Sequence, residues 1–237
     1  FHPLALGQLP PDAEIPLTRE QASDLRVVSY NVLTDNPWQG QGNRIGRQLA
    51  AVAADIYCFQ EIYNHTPAET ASYVSSWVSP IGGGNWFSAG QSDCIFVSRF
   101  PILQTWALSG NSAAWIDTSS EWGVPTMVIN AHLPCCANES GRQNECDQIA
   151  AFIRDQRLAG LLSTHPQAPV LILGDMNFVG ESRQRMTLLT GDILDETQWG
   201  WDSPPDADGT DLLDTKSRHV ARRQIYTWRN DNGSYSP

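Results

Sequence analysis

Asn31, Glu61, His132, Asp175 and Asn177 lie just past the last residues of short apolar runs. The runs read Leu25-Arg26-Val27-Val28-Ser29-Tyr30-Asn31, Asp55-Ile56-Tyr57-Cys58-Phe59-Gln60-Glu61, Val128-Ile129-Asn130-Ala131-His132 and Leu171-Ile172-Leu173-Gly174-Asp175-Met176-Asn177. If such runs are strands lying side by side, the five polar side chains converge at one rim. Carboxylates with amides offer hard oxygen ligands, which suit Mg²⁺ or Mn²⁺ better than zinc. A cation of that kind neutralises a phosphoryl group, and a second carboxylate orients or deprotonates water. Amide and imidazole donors stabilise the charge that builds on the non-bridging oxygens. The combination is suited to phosphoester hydrolysis. Taken singly, each residue has a structural explanation: a turn cap, a solvated strand end, a hydrogen-bonded interior histidine, or an Asx-type turn after Gly174. Their recurrence at four strand ends is what points to chemistry.

The elements that would position these groups are strands at Leu25 to Tyr30, Ile56 to Phe59, Ile95 to Val97, Met127 to Ala131 and Val170 to Leu173, all read as buried on both faces. Ile45, Leu49 and Val52 recur at helical spacing, and a second helix is expected over about Glu145 to Leu162, with Ile149, Phe152 and Ile153 inward. Pro166 and Pro169 separate it from the next strand. Strands covered on both faces and mixed with helices imply a layered α/β or α+β architecture, and two sheets flanked by helices would fit. No fixed-period repeat argues for a solenoid. Residues 1–24, with Pro3, Pro10, Pro11 and Pro16, read as a leader or linker, and residues 25–237 as one domain. The stretches from Asn64 to Ser92 and from Gly180 to Tyr226 read as irregular, aromatic loops, carrying Trp77, Trp86, Phe87, Trp199 and Trp201. Such aromatics could stack on bases or enter lipid, or could simply pack beneath the loops.

A chain of 237 residues with 41% hydrophobic residues and 9 Trp can bury a substantial core. Its net charge of −11 repels a polyanion such as duplex DNA unless a local basic patch or bound cations offset the field. No run reaches membrane-spanning length. Cys58 and Cys94 sit in apolar runs and read as inert buried thiols, whereas Cys135, Cys136 and Cys146 cluster in polar sequence. The expectation there is a disulfide from Cys146 to Cys135 or Cys136, with free thiols or a zinc site including His132 as alternatives. The bridge, with a leader that follows a removed signal, would suit a secreted or periplasmic chain; the cytoplasm is the alternative.

The ordered segments Ser29-Tyr30-Asn31, Gln60-Glu61, Ser98-Arg99-Phe100-Pro101-Ile102, Asn130-Ala131-His132-Leu133 and Gly174-Asp175-Met176-Asn177 resemble the endonuclease/exonuclease/phosphatase superfamily of deoxyribonuclease I-like phosphoesterases. The resemblance spans about Leu25 to Trp228. It implies an α/β four-layer sandwich of two mixed sheets flanked by helices. It further implies Glu61 as principal metal ligand supported by Asn31, Asp175 orienting the nucleophilic water, Asn177 on the phosphate, and His132 as phosphate ligand or acid. Mg²⁺ is the implied cofactor, with Mn²⁺ or Ca²⁺ as alternatives. The implied substrate is a phosphodiester, in nucleic acid or a phospholipid head group, and no covalent intermediate is expected. A phosphomonoesterase or an inactive phosphate-binding module are the competing readings. After Tyr226-Thr227-Trp228, members continue into a strand and a final Ser-Asp-His motif, which the stretch around Arg218, His219, Arg222 and Arg223 does not match. The expectation is therefore a truncated domain lacking its C-terminal strands.

Overall fold

The computed structural model describes residues 17, 19, 21–178 and 182–215. The Tyr226-Thr227-Trp228 segment, the stretch from Arg218 to Arg223 and most of the N-terminal extension lie outside the described residues. Among the described residues, eight strands form two four-stranded sheets. The first contains β1 (Val27–Asn31), β2 (Ile56–Gln60), β3 (Phe87–Gln91) and β4 (Cys94–Ser98), in the order β1-β2-β4-β3. The second contains β5 (Ile102–Leu108), β6 (Asn111–Ile116), β7 (Thr126–His132) and β8 (Val170–Asp175), in sequence order.

Each sheet has one parallel pair, and in each case a helix makes the crossover that parallel pairing requires. Helix α1 (Gly42–Val52) joins β1 to β2, and α4 (Glu139–Leu158) joins β7 to β8. The remaining pairings are antiparallel. Shorter helices are α2 (Pro67–Ser75), α3 (Ser119–Trp122), α5 (Arg183–Thr190) and α6 (Glu196–Trp199).

Burial accounts for the layering. Ile56, Cys58 and Phe96 of one sheet meet Ala114, Ile116 and Val128 of the other, forming the middle of the molecule. The opposite face of the first sheet packs Tyr57, Phe59, Ile95 and Val97 against Ile45 and Leu49 of α1 and Val74 of α2. The opposite face of the second sheet packs Met127 and Ile129 against Cys146, Ile149 and Ile153 of α4. Helix, sheet, sheet and helix therefore stack in four layers. Strands β2, β4, β6 and nearly all of β7 are buried on both faces, whereas β1 and β8, outermost in their sheets among the described residues, are only partly covered.

Several expectations need correction. Helix α4 begins at Glu139, six residues before the predicted Glu145, because the side chain of Asn138 caps Gly141 N–H. The stretch from Asn64 to Ser92 is not an irregular loop: it holds β3 and α2, whose Thr66 and Glu69 form a capping box after which Pro67 starts the helix. Trp77 and Trp86 pack against the outer core of the first sheet, and Trp199 packs beside α4, so these aromatics act as packing groups. The region after residue 180 contains α5 and α6. Cys146 is not bridged to the loop. It faces inward on α4 among Met127 and Ile129, where burial pushes its thiol up, and the Cys135 sulfur instead contacts that of neighbouring Cys136. Cys58 and Cys94 are buried as expected. Among the described residues, no helix is long and apolar enough to cross a membrane.

The start of the first sheet is tied by Asp55, which is fully buried. Its carboxylate accepts from Arg19 at 2.6 Å, Arg99 Nε at 2.6 Å and the Arg26 amide at 2.7 Å. Asp55→Ala leaves two guanidinium groups without their shared acceptor. It is expected to lower the free energy of unfolding by about 3–5 kcal/mol, measured by urea denaturation. A loss below about 1 kcal/mol would place the cluster with ordinary surface ion pairs.

Candidate functional site

The two parallel pairs direct their C-terminal ends toward one another. Asn31 ends β1 in register with Gln60, and Asp175 ends β8 in register with His132 at the end of β7. Asn31 Nδ2 donates to Glu61 Oε1 at 2.8 Å and to Asp175 Oδ2 at 2.9 Å. One amide nitrogen thus stands between carboxylates delivered by opposite sheets. Asn31 Oδ1 accepts from Leu33 N–H at 2.9 Å.

The backbone sets these directions. Glu61 adopts φ 64, so the chain leaves β2 in the left-handed region. The Glu61 carboxylate then accepts from Thr34 N–H at 2.8 Å and the Thr34 hydroxyl at 3.1 Å. Gly174 has φ 145, and a Cβ there would lie 1.9 Å from the carbonyl oxygen of Ala131. Only glycine fits the residue that precedes Asp175.

A pair of buried amides ties the sheets together behind the rim. Gln60 Nε2 donates to Asn130 Oδ1 at 2.6 Å, and Asn130 Nδ2 donates to the Phe59 carbonyl at 2.9 Å. Both side chains are fully buried, so their hydrogen bonds satisfy groups that would be costly to leave unpaired.

His132 is partly buried, and its Nδ1 lies 2.5 Å from Asp93 Oδ2. Its backbone N–H donates to Asn111 Oδ1 at 2.7 Å, while Asn111 Nδ2 donates to Glu145 at 2.7 Å. Asp93 also accepts from Glu61 N–H at 3.2 Å, which joins the histidine to the carboxylate cluster. The hydrogen bond that its Nδ1–H donates to Asp93 raises His132 above the ordinary histidine range; burial opposes this, and the charges of Asp93, Asp175 and Glu61 add to it. Burial alone would raise Asp93, but the bond and charge of His132 hold it below the usual carboxylate range. With Nδ1 engaged by Asp93, Nε2 is the nitrogen left for a substrate.

Asn31, Glu61, His132 and Asp175 therefore meet at one rim, as expected from the strand ends. Asn177 reaches it too, with φ 48, but its Nδ2 donates to the Leu133 carbonyl at 2.8 Å. Asp93, Asn111 and Glu145 were not read from the sequence. Asp93 sits in the tight turn between β3 and β4 after Ser92 at φ 53, and a Ser-Asp pair between two strands reads as turn chemistry.

No group of three or more His, Cys, Asp or Glu side chains among the described residues is arranged as a metal site. The donor set at the rim is two carboxylates sharing one amide. The ion pairs among the described residues give neither Glu61 nor Asp175 a Lys or Arg partner. Hard oxygen donors with no Lys or Arg ion-pair partner among the described residues fit a hard divalent cation.

Asp93→Asn is expected to lower the titration midpoint of the His132 imidazole toward the ordinary histidine range, followed by NMR of the ring protons. An unchanged midpoint would assign the shift to Asp175 and Glu61. Because His132 is raised in the fold, the stability it contributes is fully present below the ordinary histidine pKa and is lost as pH rises through the raised value. Asp93 is lowered, so its share is lost as pH falls through the depressed value. The stability difference between the wild type and Asp93→Asn should therefore shrink at both extremes.

No curated protein matches the chain. Among solved structures, the human nocturnin catalytic domain, determined with a bound sulfate anion, matches with a TM-score of 0.53 at 12% identity, over 85% of this chain and 80% of that one. A humanised TDP2 from D. rerio matches with a TM-score of 0.47 at 18% identity, over 69% of this chain and 65% of that one. Sphingomyelinase C from Streptomyces griseocarneus gives 0.45 at 18% identity, over 69% and 68%. The chain thus spans just under two thirds of the D. rerio protein, and 49% of TDP2 from C. elegans. The profile of the Endonuclease/Exonuclease/phosphatase family matches residues 28–235, a stretch that contains every residue of the rim and, apart from Val27, both sheets, and this chain belongs to that family.

Proposed function

We propose that this protein is a divalent-metal-dependent hydrolase that cleaves phosphodiester bonds by direct attack of an oriented water. The observation that carries the reading is the convergence of Glu61 and Asp175 on the Asn31 amide, beside the Asp93–His132 pair. A cation held by Glu61, with Asn31 in support, would polarise the phosphoryl oxygen as a Lewis acid.

The chain's own groups divide the remaining work. Asp175, at the end of β8, orients the water and takes its proton as the new P–O bond forms. His132, kept protonated by Asp93, presents Nε2–H to the phosphoryl oxygens or gives its proton to the leaving oxygen as the old P–O bond breaks. Asn177 retains a second amide proton for the phosphate. No side chain becomes covalently attached.

A diester suits this rim better than a monoester. The hydrogen bonds and ion pairs of Glu61, Asp93, His132 and Asp175 involve no Lys or Arg among the described residues. Among the described residues His132 is then the one cationic side chain in the cluster, matching a singly charged diester more closely than a dianionic monoester.

With Mg²⁺ present, bis(p-nitrophenyl) phosphate is expected to be hydrolysed with a higher kcat/KM than p-nitrophenyl phosphate. The reverse order would favour the phosphomonoesterase, and turnover of neither would favour a phosphate-binding module. Asp175→Asn should lose at least about 100-fold in kcat, the scale of a general base. Its thermal midpoint in metal-free buffer should not fall, because the substitution removes one of two like charges around a single amide. Retained turnover would mean that another group orients the water.

A further inference from the structure

We propose that Leu33 and Tyr63 form a specificity-determining lip beside the carboxylate cluster, and that it receives a planar, nucleoside-like substituent on the phosphate of a small substrate. The proposal rests on the preceding functional reading only for the place of the phosphate.

Leu33 and Tyr63 each follow a rim residue by two positions, after Asn31 and Glu61. They are 65% and 54% exposed. Their two loops are joined by direct hydrogen bonds. Thr34 N–H donates to the Glu61 carboxylate at 2.8 Å, Asp35 N–H to the Glu61 carbonyl at 2.9 Å, and Tyr63 N–H to Asp35 Oδ1 at 2.9 Å. Asp35 is itself buried, and its carboxylate also takes the Asn64 side chain at 2.7 Å and faces His65, which stacks on Trp38 with ring centroids 3.8 Å apart.

The chain holds this arrangement against local strain. Leu33, Thr34 and Asp35 adopt φ 56, 52 and 56 in succession, although none is glycine. A residue in that region costs on the order of 1–3 kcal/mol, most for branched side chains, and persists only where its surroundings over-determine it. Here the strained turn places Thr34 N–H on Glu61 while Leu33 remains in solvent. The same loop contact fixes Tyr63 by its backbone, through the 2.9 Å bond to Asp35, while its side chain stays largely in solvent.

An exposed aliphatic side chain and an exposed aromatic ring next to a phosphate position match a flat apolar group, and base–aromatic stacking contributes on the order of 1–3 kcal/mol per base. The net charge of −11 disfavours a long polyanion, which points to a small nucleotide-like ester.

The test is calorimetry on the full chain with Mg²⁺, comparing thymidine 5′-monophosphate with inorganic phosphate. The wild type should bind the nucleotide at least about tenfold more tightly, as one stacked base provides. Tyr63→Ala should bring the ratio close to one, Tyr63→Phe should keep it, and Leu33→Ser should reduce it in part. Equal affinity for the two probes, or none for either, overturns the lip. A loss in Tyr63→Phe as large as in Tyr63→Ala assigns the effect to the hydroxyl and overturns stacking. Should Tyr63→Ala fail to fold, Leu33→Ser at an exposed position decides, and an unchanged ratio there overturns the proposal. Phosphatidylcholine-vesicle binding that depends on Tyr63, without nucleotide preference, also overturns it in favour of a lipid contact. Turnover separates the two proposals through thymidine 5′-(p-nitrophenyl) phosphate and methyl p-nitrophenyl phosphate, which share a leaving group. Nucleotide preference without hydrolysis of either ester retains the lip and removes the hydrolase. Hydrolysis of both with equal kcat/KM in the wild type does the opposite.

Discussion

Two carboxylates brought together by separate sheets repel each other, and in this protein one amide nitrogen stands between them. The Asn31–Glu61–Asp175 contact is therefore the interaction on which the rest of the arrangement turns. It requires β1 and β8 to end at the same height in facing sheets. The apolar layer between the sheets and the buried Gln60–Asn130 link hold that relation. It also needs two backbone concessions, a left-handed Glu61 and a glycine at 174, each next to the acid it directs. A neutral amide donor satisfies oxygen lone pairs but leaves the net negative charge in place, so the site gains more from a cation than its hydrogen bonds alone can provide.

His132 is coupled to this charge. Asp93 accepts from both the histidine ring and the Glu61 backbone, so it connects acid chemistry on β7 with the carboxylate cluster. The same negative field that calls for a cation favours the imidazolium. The proposed hydrolase would need a group that retains its proton beside one that accepts a proton, and the different environments of His132 and Asp175 suit that division. The fold alone would not establish this, since one sandwich can host many chemistries. The particular groups at the strand ends distinguish this rim from others on the same fold.

Much of the rim was legible because parallel strands covered by helices read as continuous apolar runs whose ends are abrupt. Asn31, Glu61, His132 and Asp175 all follow such ends. Asp93 was not legible because its turn, with Ser92 and Asp93, has the composition of any hairpin connection. Strands β3, β5 and β6 were missed for a related reason: Ser88 and Gly90 interrupt β3, Gln104 and Thr105 interrupt β5, and the apolar run of β6 is only Ala113 to Ile116. The start of α2 carried its capping signature in Thr66-Pro67-Ala68-Glu69, yet the surrounding tryptophans suggested a loop. Cys146 shows the limit of spacing arguments. Its distance along the chain from Cys135 and Cys136 permits a bridge, but the inward face of α4 commits it to the core.

The central claim is that Glu61 and Asp175 together create the charge that a hard divalent cation neutralises. Isothermal calorimetry of Mg²⁺ binding to the wild type, Glu61→Gln and Asp175→Asn tests it without reference to any substrate. Saturable binding to the wild type is expected, with affinity lowered at least about tenfold by either neutral substitution, the equivalent of 1.4 kcal/mol, and the greater loss at Glu61. Affinity unchanged in both variants would contradict it.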